Sequence, residues 1–193
     1  MNMEDKFVIL DFETTGCDIF NTPPKELGYF KSKTWYDPIE LALIDLSSDM
    51  EYHYFIEPHP DFVVKGKNWA TEVHGYEPDK FIKRDDLQKW TDVFPEVQRV
   101  LTGKTAVAHN AFAFDKIVME QTCEKYNLMP PLCKWRDTKA EIKQMYPDRK
   151  HSQVDVAKWM FDETYQAHSA IEDVRMLSKI FQSINEKPDW IFI

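Results

Sequence analysis

The sequence predicts an α/β fold, and three observations carry that reading. Three extended apolar runs fall within the first 57 residues, the last two joined by a short polar turn. Helical periodicity then alternates with a short strand-like run. The chain closes on a long segment whose apolar residues recur with the helical period. At 193 residues it is long enough to bury a proper core as a single domain spanning 1–193.

The first run, Phe7-Val-Ile-Leu-Asp11-Phe-Glu13-Thr-Thr-Gly16, reads as a buried strand that ends in two carboxylates one residue apart. Side chains alternate along a strand, so Asp11 and Glu13 share a face and converge. Converging carboxylates repel unless a cation lies between them. Thr14, Thr15 and Gly16 then let the backbone turn and a ligand approach. Hydrated Mg²⁺ or Mn²⁺ holding a phosphate suits such a place. On its own the pair reads first as a solvated acidic strand end, and the spacing alone is weak evidence, so the remaining elements decide.

Residues 17–37 form a long connection or extended hairpin in which Lys25, Lys31 and Lys33 interleave with Tyr29, Phe30, Trp35 and Tyr36. Such a pattern can stack bases and hold phosphates, or its rings can simply cover the sheet. Pro38–Leu46 and Glu51–Glu57 are the second and third strands, and the turn Ser47-Ser48-Asp49 makes them an antiparallel pair. Glu40 sits early in the second strand, either facing the first carboxylates or as an edge charge.

Residues 58–86 are irregular. A helix follows, with Phe94, Val97, Val100 and Leu101 on one face and Gly103 ending it. Thr105–Ala108 is a short buried strand that runs into His109-Asn-Ala-Phe-Ala-Phe-Asp115, where a second helix begins and continues to about Tyr126. From Lys134 to His151 six lysines and arginines stand against three acids, the one locally basic stretch and a candidate for contact with a nucleic-acid backbone. Trp135 and Trp159 are assigned to the core.

Composition narrows the class further. Cys17, Cys123 and Cys133 are odd in number and lack ligand spacing, which argues against a disulfide framework and a zinc site. The N-terminus has no apolar signal core and no run approaches bilayer length, so a soluble, intracellular (cytoplasmic) protein without membrane association is expected. A net charge of −9 disfavours non-specific binding of long nucleic acid but not a short strand gripped through cations.

His168-Ser-Ala-Ile-Glu-Asp173 opens the last helix, with Ala170, Ile171, Val174, Leu177, Phe181 and Ile184 on its apolar face. Ser169 with Glu172 has the form of a capping box, leaving His168 outside the helix and Asp173 in its first turn. From that loop the imidazole can swing toward the Asp173 carboxylate, which two residues five apart on one regular helix could not do.

Taken together, Asp11-Phe-Glu13-Thr-Thr-Gly16, His109-Asn-Ala through Asp115, and His168-x-Ala-x-x-Asp173 resemble the three motifs of the DEDD superfamily of 3′-to-5′ exonucleases, in the DnaQ-like branch whose last motif contains histidine (DEDDh). Ile39-Glu-Leu-Ala42, His74-Gly75 and Asp137-Thr138 are secondary matches. The order is right across nearly the whole chain. Two features depart: one extra residue separates His109 from Asp115 relative to the commonest bacterial pattern, and the 17–37 insert is longer than in compact members.

The resemblance implies a ribonuclease-H-like fold, a mixed five-stranded sheet flanked by helices with its first three strands antiparallel. It implies two divalent ions, Mg²⁺ or Mn²⁺, with Asp11, Glu13 and Asp173 around one and Asp11 and Asp115 around the other. His168 is then the general base, and Thr14, Thr15, Gly16, His109 and Asn110 bind the terminal nucleotide. The expected substrate is nucleic acid with a free 3′ end, single-stranded DNA favoured, with nucleoside 5′-monophosphates as product. An exoribonuclease similar to RNase T or oligoribonuclease is the runner-up, since no residue can be assigned to sensing a 2′-hydroxyl. A non-catalytic binding module is disfavoured because all four carboxylates are present. A free-standing nuclease is preferred over a polymerase-associated subunit, and a homodimer is compatible with the sequence.

Overall fold

In a computed structural model of the chain, residues 7–16, 37–58 and 70–185 are described. The long insert anticipated at 17–37 therefore lies outside the described residues except for Asp37. The elements are β1 (Phe7–Thr14), β2 (Pro38–Asp45), β3 (Met50–Ile56), α1 (Thr71–His74), α2 (Pro78–Phe81), β4 (Leu87–Gln88), α3 (Trp90–Leu101), β5 (Thr105–Ala108), α4 (Asp115–Lys125), β6 (Lys134–Asp137), α5 (Thr138–Met145), α6 (Gln153–Phe161) and α7 (Ala170–Asn185).

They build a mixed sheet in the order β4-β3-β2-β1-β5-β6, flanked by helices. β1, β2 and β3 run antiparallel in sequence, the β2–β3 pair as its short connecting turn requires, while β5 and β6 extend the sheet parallel to β1. The sheet has six strands where five were expected, because the two-residue β4 pairs parallel with Phe55 and Ile56 of β3. Two residues carry no alternation that a sequence pattern can register.

Alternation in β1 divides the two layers. Val8, Leu10 and Phe12 pack with Trp90, Val97 and Leu101 of α3 and with Val118 and Met119 of α4. Ile9 faces the other way, against Ala170, Val174, Leu177 and Phe181 of α7. Asp11 and Glu13 share the parity of Ile9, so they open toward α7. The spacing of those four α7 residues puts them on one stripe, while Met176, Ile180 and Ile184 on a neighbouring stripe pack with Ile142 of α5 and Val156 and Ala157 of α6. α7 is thus buried on two sides and rigidly seated.

The start of α4 at Asp115, after a turn over 109–114, is as expected; other positions differ. Trp135 and Trp159 are half-buried at the margins of two clusters; among the described residues the fully buried tryptophan is Trp90. The basic stretch from Lys134 to His151 is divided between β6 and α5 and the turn beyond. Arg136 is spent inside it, bidentate on Glu141 at 2.6 and 2.9 Å. Among the described residues no helix is long and apolar enough to cross a membrane.

Candidate active site

β1 delivers the first two carboxylates. Asp11 is paired with Ala42 and Glu13 with Glu40 of β2, and the register slips between Glu13 and Thr14. Such a bulge at a strand end re-aims the following residues and ends the pairing. Thr15 closes the turn, its N–H donating to the Asp37 carbonyl (2.9 Å) and its Oγ1 accepting from the Asp37 N–H (3.1 Å). Thr14, Thr15 and Gly16 are buried.

α7 delivers the third carboxylate. Asp173 lies in its first turn, and ligand oxygens of Asp11, Glu13 and Asp173 all come within 4.8 Å of one another. The backbone at Ser169 begins the helix as an N-cap does, its carbonyl accepting from the Asp173 N–H at 2.9 Å. The capping box itself does not form: Glu172 is turned to Arg175 at 2.8 Å. Asp173 reaches back instead, its Oδ2 accepting from the His168 N–H at 2.7 Å. His168 is exposed and sits in the left-handed region at φ 65°. It meets Asp173 through its backbone, where the sequence suggested its ring.

The fourth carboxylate arrives from the opposite layer. β5 pairs with β1 only as far as Ile9, so the β1 backbone beyond it lacks a strand partner on that side. Asp115, the first residue of α4, supplies one: its Oδ1 accepts from the Phe12 N–H at 3.2 Å. Its Oδ2 is buried with no hydrogen-bond partner. A buried, unpaired carboxylate oxygen is costly, and Asp115 is near enough to Asp11 and Asp173 for their charges to repel.

The electrostatics follow. Burial first, then repulsion from Asp115, Asp173, Glu13 and Glu40, drives the Asp11 carboxyl well above its ordinary range. Burial with the Asp173, Glu40 and Asp115 charges pushes Glu13 up to about 9, and burial pushes Asp115 up to about 8. Asp173 is also raised by burial, against the opposing pull of hydrogen bonds from Tyr165 and the His168 backbone. All four offer hard oxygen ligands, and bound cations reverse this balance by favouring the ionised forms. The donor set and the orphaned oxygen fit a divalent ion.

Around the cluster sit residues with a different part from the one expected. Glu40 is not an edge charge: β2 lies inside the sheet, and the carboxylate is wholly buried. It bonds His53 Nε2 at 2.7 Å and accepts from the Tyr76 hydroxyl at 2.7 Å. His109 was expected on the substrate, yet its Nε2 donates to the His151 carbonyl (2.8 Å) and its Nδ1 meets the Thr138 hydroxyl (3.0 Å). Burial lowers its pKa to about 4, so it is a neutral brace for the turn. Asn110 takes φ 83°, and its N–H donates to Asp137 Oδ1 at 3.1 Å. Asp137 also accepts from the N–H groups of Phe112 (3.3 Å) and Ala140 (3.2 Å), fixing the turn that aims Asp115.

Comparison with known proteins bears on the family and the fold. The exonuclease family model named for RNase T matches residues 8–181. The chain belongs to this family, the DnaQ-like 3′-to-5′ exonucleases. Among curated relatives of the exonuclease family, the PolC-type DNA polymerase III of Caldanaerobacter subterraneus subsp. tengcongensis is 25% identical over 187 residues, 96% of this chain and 12% of that protein. That of Thermotoga petrophila is 26% identical over 175 residues, 91% of this chain and 11% of that protein. The chain thus spans about an eighth of the polymerases it matches. Among solved structures, Escherichia coli exonuclease I in complex with a dA16 oligonucleotide superposes with a TM-score of 0.71 at 14% identity, covering 97% of this chain and 42% of that one. Exonuclease X in complex with 5′ overhanging duplex DNA gives 0.59 at 18% identity, covering 94% of each. At such identities the likeness is one of fold.

Proposed function

We propose that this exonuclease domain, spanning 1–193, removes nucleoside 5′-monophosphates from the 3′ end of DNA, with single-stranded DNA as its preferred substrate. The observation that carries the reading is the convergence of Asp11, Glu13 and Asp173 within 4.8 Å beside the orphaned buried oxygen of Asp115. Exonuclease I with its bound oligonucleotide and the polymerase relatives support DNA as the substrate class.

Asp11, Glu13 and Asp173 would hold one divalent ion, Mg²⁺ or Mn²⁺, and Asp11 with Asp115 a second. Bound there, the ions act as Lewis acids that stabilise charge on the phosphate oxygens. His168, exposed on its loop, takes the proton of the attacking water. Water oxygen adds to phosphorus as the 3′ oxygen of the preceding nucleotide leaves, giving a 5′-monophosphate and a new 3′-hydroxyl. The backbone of Thr14, Thr15 and Gly16, together with Asn110, holds the terminal nucleotide. His109 serves the site by bracing the Asn110 turn. Polymerase association and self-association are secondary proposals.

Digestion of matched 5′-labelled single-stranded DNA and RNA with Mg²⁺ or Mn²⁺, beside the Asp11→Ala protein, tests this. A descending ladder on DNA is expected, absent from the variant. A ladder on RNA alone would replace the substrate assignment.

A further inference from the structure

Asp173 stands apart from its partners in the cluster because both of its oxygens are already gripped by the protein. Tyr165, in the loop before α7, donates its hydroxyl to Oδ1 at 2.7 Å. Gln153, the first residue of α6, brings Nε2 to within 3.1 Å of the same oxygen, 2.9 Å of the Asp173 carbonyl and 2.9 Å of the Tyr165 hydroxyl. The His168 N–H holds Oδ2 at 2.7 Å. Donors from α6 and from two points of one loop therefore meet on a single carboxylate.

The terminal torsion of an aspartate is broad when nothing constrains it. Here it is constrained from both sides, and Gln153 also fixes the backbone that carries it. The seating of α7 sets the position of the carboxylate carbon. What remains free is the rotation of its oxygens, and that rotation decides whether one of them faces Asp11 and Glu13. Outer partners of this kind typically change metal affinity by about 10–100-fold when removed.

We propose that Tyr165 and Gln153 are positioning residues that orient Asp173 as a cation ligand, and that this orientation sets the metal affinity of the site. The inference rests on the metal-binding reading above. Calorimetric titration of Mn²⁺ into the full chain without nucleic acid tests it, comparing the unaltered protein, Asp173→Asn, Tyr165→Phe and Gln153→Leu, with thermal unfolding in parallel. Either clamp variant should weaken Mn²⁺ binding by about 10–100-fold while remaining folded. Two variants on different elements keep the test open if one does not fold. A dissociation constant within twofold of the unaltered protein, with only the melting temperature lowered, would make the contacts merely structural and overturn the proposal. If the unaltered protein itself binds no Mn²⁺, the metal-binding reading fails and this inference with it.

Discussion

At the scale of single residues, each acidic group has its own part in the balance of the site. His168 contacts Asp173 through its main chain, so trimming its side chain leaves that hydrogen bond in place. His168→Ala is therefore expected to lower kcat by about 10²–10⁴-fold, the usual weight of general-base catalysis, while calorimetry still records Mn²⁺ binding. Loss of binding in that variant would contradict the assigned roles. Asp11→Ala should abolish both binding and turnover. The Asp11 and Glu13 pair could be read in the sequence because strand alternation is local and obligatory. Tyr165 and Gln153 could not: they lie 8 and 20 residues from Asp173 and meet it only once α6 packs on α7. Glu40 was legible as a residue but not as buried, since burial depends on β3 covering the far edge of β2.

At the scale of elements, Asp137 is the hinge between two segments. It joins the N-terminus of α5 to the turn ahead of α4 through three backbone N–H groups. Asp137→Ala removes a helix cap and three part-buried hydrogen bonds, and should destabilise the protein by about 1–3 kcal/mol in urea unfolding. Because that turn aims Asp115, exonuclease activity should fall as well, under conditions where the variant is still folded. α7 offers a contrasting case: Leu177 is fully buried against β1 and β5 through its cluster, and Leu177→Ala should cost about 2–5 kcal/mol. The strong helical period of α7 and the alternation of β1 made both elements legible. β4 was not, being too short for any period, and neither was the anchoring of the 109–114 turn by Asp137, 25 and 27 residues away.

At the scale of the whole molecule, the acidic cluster makes stability depend on pH. With Glu13 raised to about 9 and Asp115 to about 8, the folded protein keeps protons that the unfolded chain releases near pH 4. The folded state then binds more protons than the unfolded one, so unfolding free energy falls as pH rises across that interval. The metal-free protein should melt highest near pH 5 and progressively lower toward pH 9, and Mg²⁺ should restore more of the melting temperature at pH 8 than at pH 5. A profile that rises with pH would contradict the raised carboxyls. Asp115 comes from a helix on one face of the sheet and Asp173 from a helix on the other, and the charges of both bear on Asp11. A cation held by both carboxylates would fasten the two helical layers to each other as a clasp does, so loading the site should also slow the rate at which the layers come apart.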